Sequence, residues 1–435
     1  MGFQRFVIQM ISIEEVQSHS DPVLQKYWNR AKEDLSSVKI QVESILERVE
    51  TSGDKELKKL TKEIDHLELD NFIIQVSSLD YTIPKNLEAA LEKAHETISQ
   101  FHEFTKPQGK ETTIQGNRLG YFYSPVESVA LYSPGGTALY PSSILMAAIP
   151  AKIAGVKGLV LVTPPRKEGI PGIILHACKL VGIETIVTLG GAQGIGAVGF
   201  GTESIPKVDF IVGPGNKYVA SAKSILQGRG LVGIDSPAGP SDVFVIADDS
   251  ANPDWISADM LSQAEHGSDS SAFLATNSRQ LANQVQKAIE RDLEARPKRR
   301  SMKEAAIANN SAIFLLPNLE ECAKLANYFA PEHLEIQTAS PNEILKQIKH
   351  AGSVFLGPYS PVAMGDYISG TNHILPTAGL ARYYSGLGVD TYLKRITYQE
   401  LSKEGISHLG LFAIDLSIAE GLDEEHGNSI RIRLT

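Results

Sequence analysis

Val126–Thr163 reads VESVALYSPGGTALYPSSILMAAIPAKIAGVKGLVLVT, and the fold is decided here. The apolar run Val126–Tyr132 predicts a buried strand. Ser133-Pro134-Gly135-Gly136-Thr137 predicts a turn, Ser142–Ile153 a helix rich in small residues, and Lys157–Thr163 a second strand. A strand, a glycine-rich turn, a helix and another strand make a βαβ unit, which requires parallel strands. The pattern then repeats. Ile170–Val181 predicts a helix and Thr185–Leu189 a strand; Phe210–Val212 is a further strand, ending in Gly213-Pro214-Gly215-Asn216-Lys217. Alternation of this kind indicates a parallel α/β sheet.

Ligands bind such sheets at the carboxyl ends of the strands. Three glycine-rich loops follow three strands here, which favours a nucleotide or phosphate ligand at that edge. Gly194-Ile195-Gly196-Ala197-Val198-Gly199 is a literal G-x-G-x-x-G. The turn itself lies earlier, in Gly190-Gly191-Ala192-Gln193, so the later glycines read better as small residues packing a helix on the sheet.

Toward the N-terminus, 21–105 is helical and charged, with amphipathic stretches at Val38–Val49 and Leu87–Phe104. Toward the C-terminus, Pro237-Ala238-Gly239-Pro240-Ser241 marks a domain boundary. Asp242–Ala247 predicts a strand, Trp255–Glu265 a helix, and alternation continues to about Leu356. From Arg382 onward helices are expected, with a short extended end at Ile430–Leu434. No internal repeat is visible.

The gross composition excludes several classes. A chain of 435 residues exceeds one simple core, so two or three domains are expected. Net charge is −10, which argues against nucleic acid as a partner. The basic run Arg296-Pro297-Lys298-Arg299-Arg300 reads as a solvated helix end or loop. Only Cys178 and Cys322 occur, so no disulfide framework is expected. Met1–Ser12 lacks a cleavage-site pattern, Phe6 stands where a myristoylation signal wants Ser or Thr, and no apolar run reaches bilayer length. The expectation is a cytoplasmic protein with no membrane partner.

The second half carries the chemistry. Gln263-Ala264-Glu265-His266 puts Gln263 and His266 three apart on a predicted helix, able to face one point. A His at a helix end is often only a cap or a satisfied core residue. Pro331-Glu332-His333 follows a helix that the proline ends; a solvated Glu-His pair is the plainer reading. Gly365-Asp366-Tyr367 leads to Asn372 and His373 in a polar, glycine-punctuated string, better read as a site loop than as a surface loop. Glu420 and His426 lie near the C-terminus. A Gln, two His and an Asp suit a borderline cation such as zinc. A Glu-His pair left free of metal supplies general bases.

Four strings together resemble one family. They are Ile234–Ser241 (IDSPAGPS), Ser262–Gly267 (SQAEHG), Ala330–Leu334 (APEHL) and Gly365–Thr377 (GDYISGTNHILPT), extended by Gly386-Leu387. They closely resemble histidinol dehydrogenase, from about Asp21 to the C-terminus. The resemblance implies NAD⁺- and zinc-dependent oxidation of L-histidinol to histidinaldehyde and on to L-histidine, by a homodimer with one Zn²⁺ per subunit. It implies zinc ligands Gln263, His266, Asp366 and His426, and general bases Glu332 and His333. Ser241, His373 and Glu420 would line the substrate pocket with the ligands and His333, and Tyr132, Gln193 and Asn216 would contact NAD⁺.

The fold implied is two Rossmann-like parallel-sheet α/β domains, with helical N- and C-terminal extensions, in a domain-swapped dimer. Its expected division is 1–24 as an N-terminal extension, 25–130 with 239–381 as the zinc and catalytic domain, 131–238 as the NAD-binding domain, and 382–435 as a helical tail completing the partner's site.

Two positions depart from the family. Asp242 stands where Glu is usual. Glu420 and His426 are six apart instead of five, which leaves Glu424 or Glu425 as alternatives to Glu420. Two other functions stay open: a zinc- and NAD-dependent dehydrogenase for another alcohol, and a zinc-bound scaffold without catalysis. The Glu332-His333 pair argues against the second. Neither Cys322 nor Cys178, each in a plain helical run, looks like the nucleophile an aldehyde dehydrogenase uses.

Overall fold

The fold is that of a computed structural model, in which residues 11–30, 36–135, 139–237 and 239–435 are described. Gly136, Thr137 and Ala238, named above in the first turn and in the domain boundary, lie outside the described residues, as does 1–10 of the expected N-terminal extension.

Two six-stranded sheets organise the chain. The first runs, from one edge, Ile73–Gln75, Thr185–Val187, Gly158–Val162, Ser128–Tyr132, Phe210–Val212, Gly233–Ile234. All pairs are parallel except Ile73–Gln75, which lies antiparallel to its neighbour. The second runs Ser12–Glu15, Ala312–Leu315, Ser271–Thr276, Asp242–Ala247, His333–Gln337, Ser353–Leu356, all parallel. Number the five consecutive strands of each unit from its first. Both sheets then read 3-2-1-4-5, with one extra strand from earlier in the chain beside strand 3. The architecture is therefore a structural duplication. The sequence shows no repeat because each copy filled its core with different residues.

The strands are buried on both faces, as parallel strands are. In the second sheet Phe244, Phe273, Phe314 and Phe329 pack together on one side, with Tyr27 edge-on to Phe273 and Phe314. Pro141–Ala154 is apolar nearly all round and is buried accordingly. Among the described residues, no helix is long and apolar enough to cross a membrane.

The chain is divided differently from expectation. Residues 36–130 do not join the catalytic unit. Helix Ser36–Leu60 lays Val42, Leu46 and Val49 on the first sheet's helices Gly191–Phe200 and Lys217–Gly228. Helix Lys85–Thr105 packs on Pro141–Ala154, and Ile73–Gln75 extends the first sheet. The N-terminal part is not helical throughout, since Ser12–Glu15 is an edge strand of the second sheet. The tail from Arg382 is not all helical either. Leu393–Glu400 is a strand antiparallel to Asn117–Pro125, which pairs in turn with Lys110–Ile114. Ile430–Leu434, expected to be extended, belongs to helix Asn428–Leu434.

One connection positions the site. Residues 235–241 lead from Ile234, at the carboxyl edge of the first sheet, to Asp242, at the amino edge of the second. Seven residues span at most ~25 Å. The two edges must therefore lie close to each other. The segment after Asp366 ties them again: Ile374, Leu387, Val389 and Tyr392 bury against the first sheet's helices, and the Tyr392 hydroxyl donates to the Ala147 carbonyl at 2.9 Å.

Candidate active site

The acid and imidazole side chains gather at the amino edge of the second sheet. Helix Leu319–Phe329 ends at Ala330 in a left-handed conformation, φ 50°, with its N–H donated to the Ala326 carbonyl. Pro331 follows, and the chain turns straight into the next strand with Glu332 and His333 at its mouth. His333 stands in register with Val243, so Asp242 lies beside it at the head of the central strand.

Asp242 organises both neighbours. Its backbone N–H donates to Glu332 Oε2 at 3.1 Å, and the Glu332 N–H donates to Asp242 Oδ1 at 2.9 Å. Ser241, the residue before Asp242, is close enough to the Glu332 carboxyl to pull its pKa down slightly. Burial raises the Glu332 pKa well above the usual carboxyl range, and the Asp242 charge adds to it. Burial likewise raises Asp242 to about 7. Two carboxyls in one dry pocket resist ionising together.

The Asp242 carbonyl also fixes His333. It lies 3.0 Å from His333 Nδ1 and can only accept, so Nδ1 carries the proton. The lone pair is then on Nε2, which is buried with no hydrogen-bond partner and lies 3.8 Å from Asp366 Oδ1. Burial lowers His333 to about 4, so the ring is neutral near pH 7.

His373 contrasts with it. Its Nδ1–H donates to the Asp366 carbonyl at 2.7 Å, and its Nε2 accepts from the Ser143 hydroxyl at 3.1 Å. Its pKa is also lowered to about 4 by burial, but its lone pair is engaged. Of these two imidazoles, His333 is the one whose lone pair is free.

Asp366, on the short helix Val362–Tyr367, is raised to about 6 by burial. Gln263 is buried in the last turn of Pro253–Ala264, and His266 follows at the recess mouth, where surrounding protein lowers its pKa against an opposing pull from Glu265. The charge of His266 is felt by both His333 and His373, so the three imidazoles share one recess. Gln263, His266 and Asp366 offer an amide oxygen, an imidazole and a carboxylate, a donor set that fits zinc. Among the described residues, no three or more His, Cys, Asp or Glu of the single chain are grouped to hold a metal. Glu420 and His426 are exposed on the C-terminal helices, which pack mainly on one another. Within one chain no interaction links either residue to the cluster.

Tyr132, Gln193 and Asn216 sit instead at the carboxyl edge of the first sheet. The Tyr132 hydroxyl accepts the Gly191 N–H at 3.1 Å. The Gln193 amide donates to Asp65 at 3.4 Å. Asn216 caps helix Lys217–Gly228 by accepting from the Tyr218 and Val219 N–H groups, which leaves its NH₂ for a ligand. The literal glycine fingerprint is packing: a Cβ on Gly196 would lie 2.9 Å from Leu46, and one on Gly199 would overlap Leu226.

Sequence reading missed a supporting network. Gln337 Nε2 donates to Asp259 at 3.1 Å and to Glu335 at 2.8 Å, and the Val362 N–H donates to Glu335 at 3.2 Å. Buried Glu335, raised well above the usual range by burial and then by Asp259, thus ties the strand of His333 to the helices carrying Gln263 and Asp366. The available signal was a Glu in the middle of the strand His333–Gln337, where an apolar residue is usual.

A duplicated parallel α/β fold, with an acid–imidazole cluster on one sheet and a glycine-rich edge on the other, suits an oxidoreductase. The family model for histidinol dehydrogenase matches residues 28–434. A histidinol dehydrogenase from Leptospira interrogans is 56% identical over 414 residues, covering 95% of this chain and 96% of that protein. One from Leptospira biflexa is 51% identical, covering 97% and 98%. The crystal structure of histidinol dehydrogenase from Elizabethkingia anophelis superposes with a TM-score of 0.90 at 37% identity, over 98% of each chain. The chain belongs to the histidinol dehydrogenase family.

Proposed function

We propose that this protein oxidises L-histidinol to L-histidine through L-histidinaldehyde, using NAD⁺ and zinc, as a cytoplasmic homodimer. The observation that carries the reading is the unpartnered His333 Nε2 lone pair beside the buried Glu332 carboxyl. Bound NAD⁺ would supply the two-electron acceptor for each oxidation, and bound zinc an anchor for the substrate's imidazole and amine.

The chain's own residues move the protons. In the first oxidation His333 Nε2 takes the hydroxyl proton as the alcohol carbon loses its hydride; the Asp242 carbonyl steadies the ring. The second oxidation adds water to the aldehyde. Glu332 takes a proton from that water, and its raised pKa makes it a stronger base than an ordinary carboxylate. Each step removes two electrons from the same carbon, and the net product is a carboxylate. A thiol route is disfavoured, because Cys178 and Cys322 are both buried, with thiols pushed up to about 12. Ser241, beside Glu332, and His373, at the recess wall, would shape the substrate pocket.

Gln263, His266 and Asp366 would hold zinc with His426 of a second copy, and Glu420 of that copy would reach the substrate. The tail supports this. Leu411, Phe412, Leu416 and Ile418 are exposed on helix Lys403–Ala419, with Phe412 69% accessible. Met364 and Tyr367 are exposed on the helix that carries Asp366. Apolar faces of this kind mark contact surfaces. Buried free thiols suit a reducing compartment.

The test is NADH yield per histidinol consumed, with and without a chelator. Two NADH are expected, falling to none on chelation while far-UV circular dichroism stays unchanged. One NADH, with aldehyde accumulating, would overturn the four-electron reading.

A further inference from the structure

The first sheet contains a buried ion pair that the reaction does not use. Lys223 lies on helix Lys217–Gly228, and Asp235 follows the edge strand Gly233–Ile234. Their side chains are 2% and 7% exposed, and Lys223 Nζ donates to Asp235 Oδ1. Both also hold one residue between them. Lys223 Nζ donates to the Gly213 carbonyl at 3.0 Å, and the Gly213 N–H donates to Asp235 Oδ2 at 2.8 Å. Every backbone polar group of Gly213 is thus held by one ion pair.

Gly213 is an unusual residue to hold. It ends strand Phe210–Val212 at φ 109°, and a Cβ there would collide with the Tyr132 carbonyl. Only glycine allows that approach. Gly213 therefore touches Tyr132 on one side and begins the three-residue turn to Asn216 on the other. The Asn216 side chain is itself fixed as a helix cap, so its free amide points where the turn places it.

We propose that Lys223 and Asp235 are positioning residues for the cofactor: a latch on Gly213 that sets the spacing between Tyr132 and Asn216 before NAD⁺ arrives. The proposal rests on the reading that NAD⁺ binds at this edge. A flexible loop would have to be ordered on binding, at a cost in affinity; a latched loop has been ordered already. Asp235 also begins the connection to Ser241, so the latch anchors the link to the second sheet as well.

The test uses the full-length protein with both charges removed together, because a single change leaves an unpaired buried charge. The variants are K223M/D235N, which keeps an acceptor for the Gly213 N–H, and K223M/D235L, which keeps neither partner. The readouts are Kd for NAD⁺ by calorimetry, KM for NAD⁺ and for histidinol, kcat at saturating NAD⁺, and Tm. The latch predicts a rise in Kd of at least tenfold for K223M/D235L and a smaller rise for K223M/D235N. It predicts less than threefold loss in kcat and an unchanged KM for histidinol. A Kd within twofold of the parent in the folded variants, or a fall in Tm with Kd unchanged, overturns it.

Hydrogen exchange on the unmodified protein gives a second arm that needs no variant. Peptides covering 213–217 should be protected without NAD⁺, whereas fast exchange that slows only on NAD⁺ addition contradicts a preformed loop. The control is N216A. If N216A leaves the NAD⁺ Kd unchanged, the cofactor placement fails and the latch with it. If N216A weakens binding while the double variants do not, only the latch fails.

Discussion

The two sheets share one strand order and use opposite ends of it. In the first, Tyr132, Gln193 and Asn216 stand at the carboxyl edge, beyond the ends of strands 1, 3 and 4. In the second, Asp242, Glu332 and His333 stand at the amino edge, on strands 1 and 4. On the proposed function, the carboxyl-edge rule for open α/β sheets would describe the first copy and not the second. The difference follows from connectivity. A link of seven residues takes the chain from the carboxyl edge of one copy to the amino edge of the next, so those two edges lie within its reach. Duplicating a fold does not duplicate the edge that carries its polar residues; the linker sets which edge of the second copy lies within reach of the first.

The edges also differ in chemistry. The carboxyl edge presents glycine turns, a helix cap and neutral side chains. The amino edge concentrates buried acids and imidazoles with displaced pKa values, the mark of a site that moves protons. Substitutions at the two edges should therefore fail in different ways.

The largest effect should come from breaking the amino edge across two copies. H266A and H426A should each be nearly inactive alone. Co-expressed, they should recover roughly a quarter of the parent activity, since half of randomly mixed dimers carry one intact site. A mixture that stays inactive would mean that His426 serves its own chain. Next, H333N should lower kcat for histidinol by ~10²–10⁴-fold with little change in NAD⁺ affinity, because the base is lost and the other edge is untouched. A pre-steady-state rate within tenfold of the parent would remove His333 from that role.

A subtler change is D242N. Asn keeps the acceptor for the Glu332 N–H but removes a negative neighbour that raises the Glu332 pKa. With that charge gone the Glu332 pKa falls. The limb on which aldehyde oxidation rises with pH should therefore move to lower pH, as a kcat–pH profile would report; an unmoved limb would uncouple the two acids. The smallest effect belongs to the carboxyl edge. N216A should raise the NAD⁺ Kd by roughly tenfold, the worth of about one hydrogen bond, and change kcat at saturation little. A loss confined to kcat would blur the contrast between the edges.

This contrast shows what the sequence could and could not convey. The parallel strands were legible because buried strands are short apolar runs between glycine turns: Phe210–Val212 and Asp242–Ala247 have the bounds read from sequence. The candidate site residues came from long motifs, which periodicity alone would not supply. Two kinds of feature stayed hidden. An amphipathic helix such as Ser36–Leu60 announces an apolar face but not which sheet it covers, so its domain was misassigned. Leu393–Glu400 is largely exposed and has no apolar alternation to betray a strand. The amino-edge location was also illegible, because Asp242 as a strand's first residue looks like any polar boundary until the reciprocal bonds to Glu332 are seen.

The central claim is that two bases at one amino edge divide two oxidations of one carbon, and E332Q tests it most directly. Single-turnover rates would be measured separately with histidinol and with histidinaldehyde. The account predicts a loss of ~10²-fold or more for the aldehyde, which needs an activated water, and less than about fivefold for the alcohol, which does not. Equal losses in the two steps would contradict it.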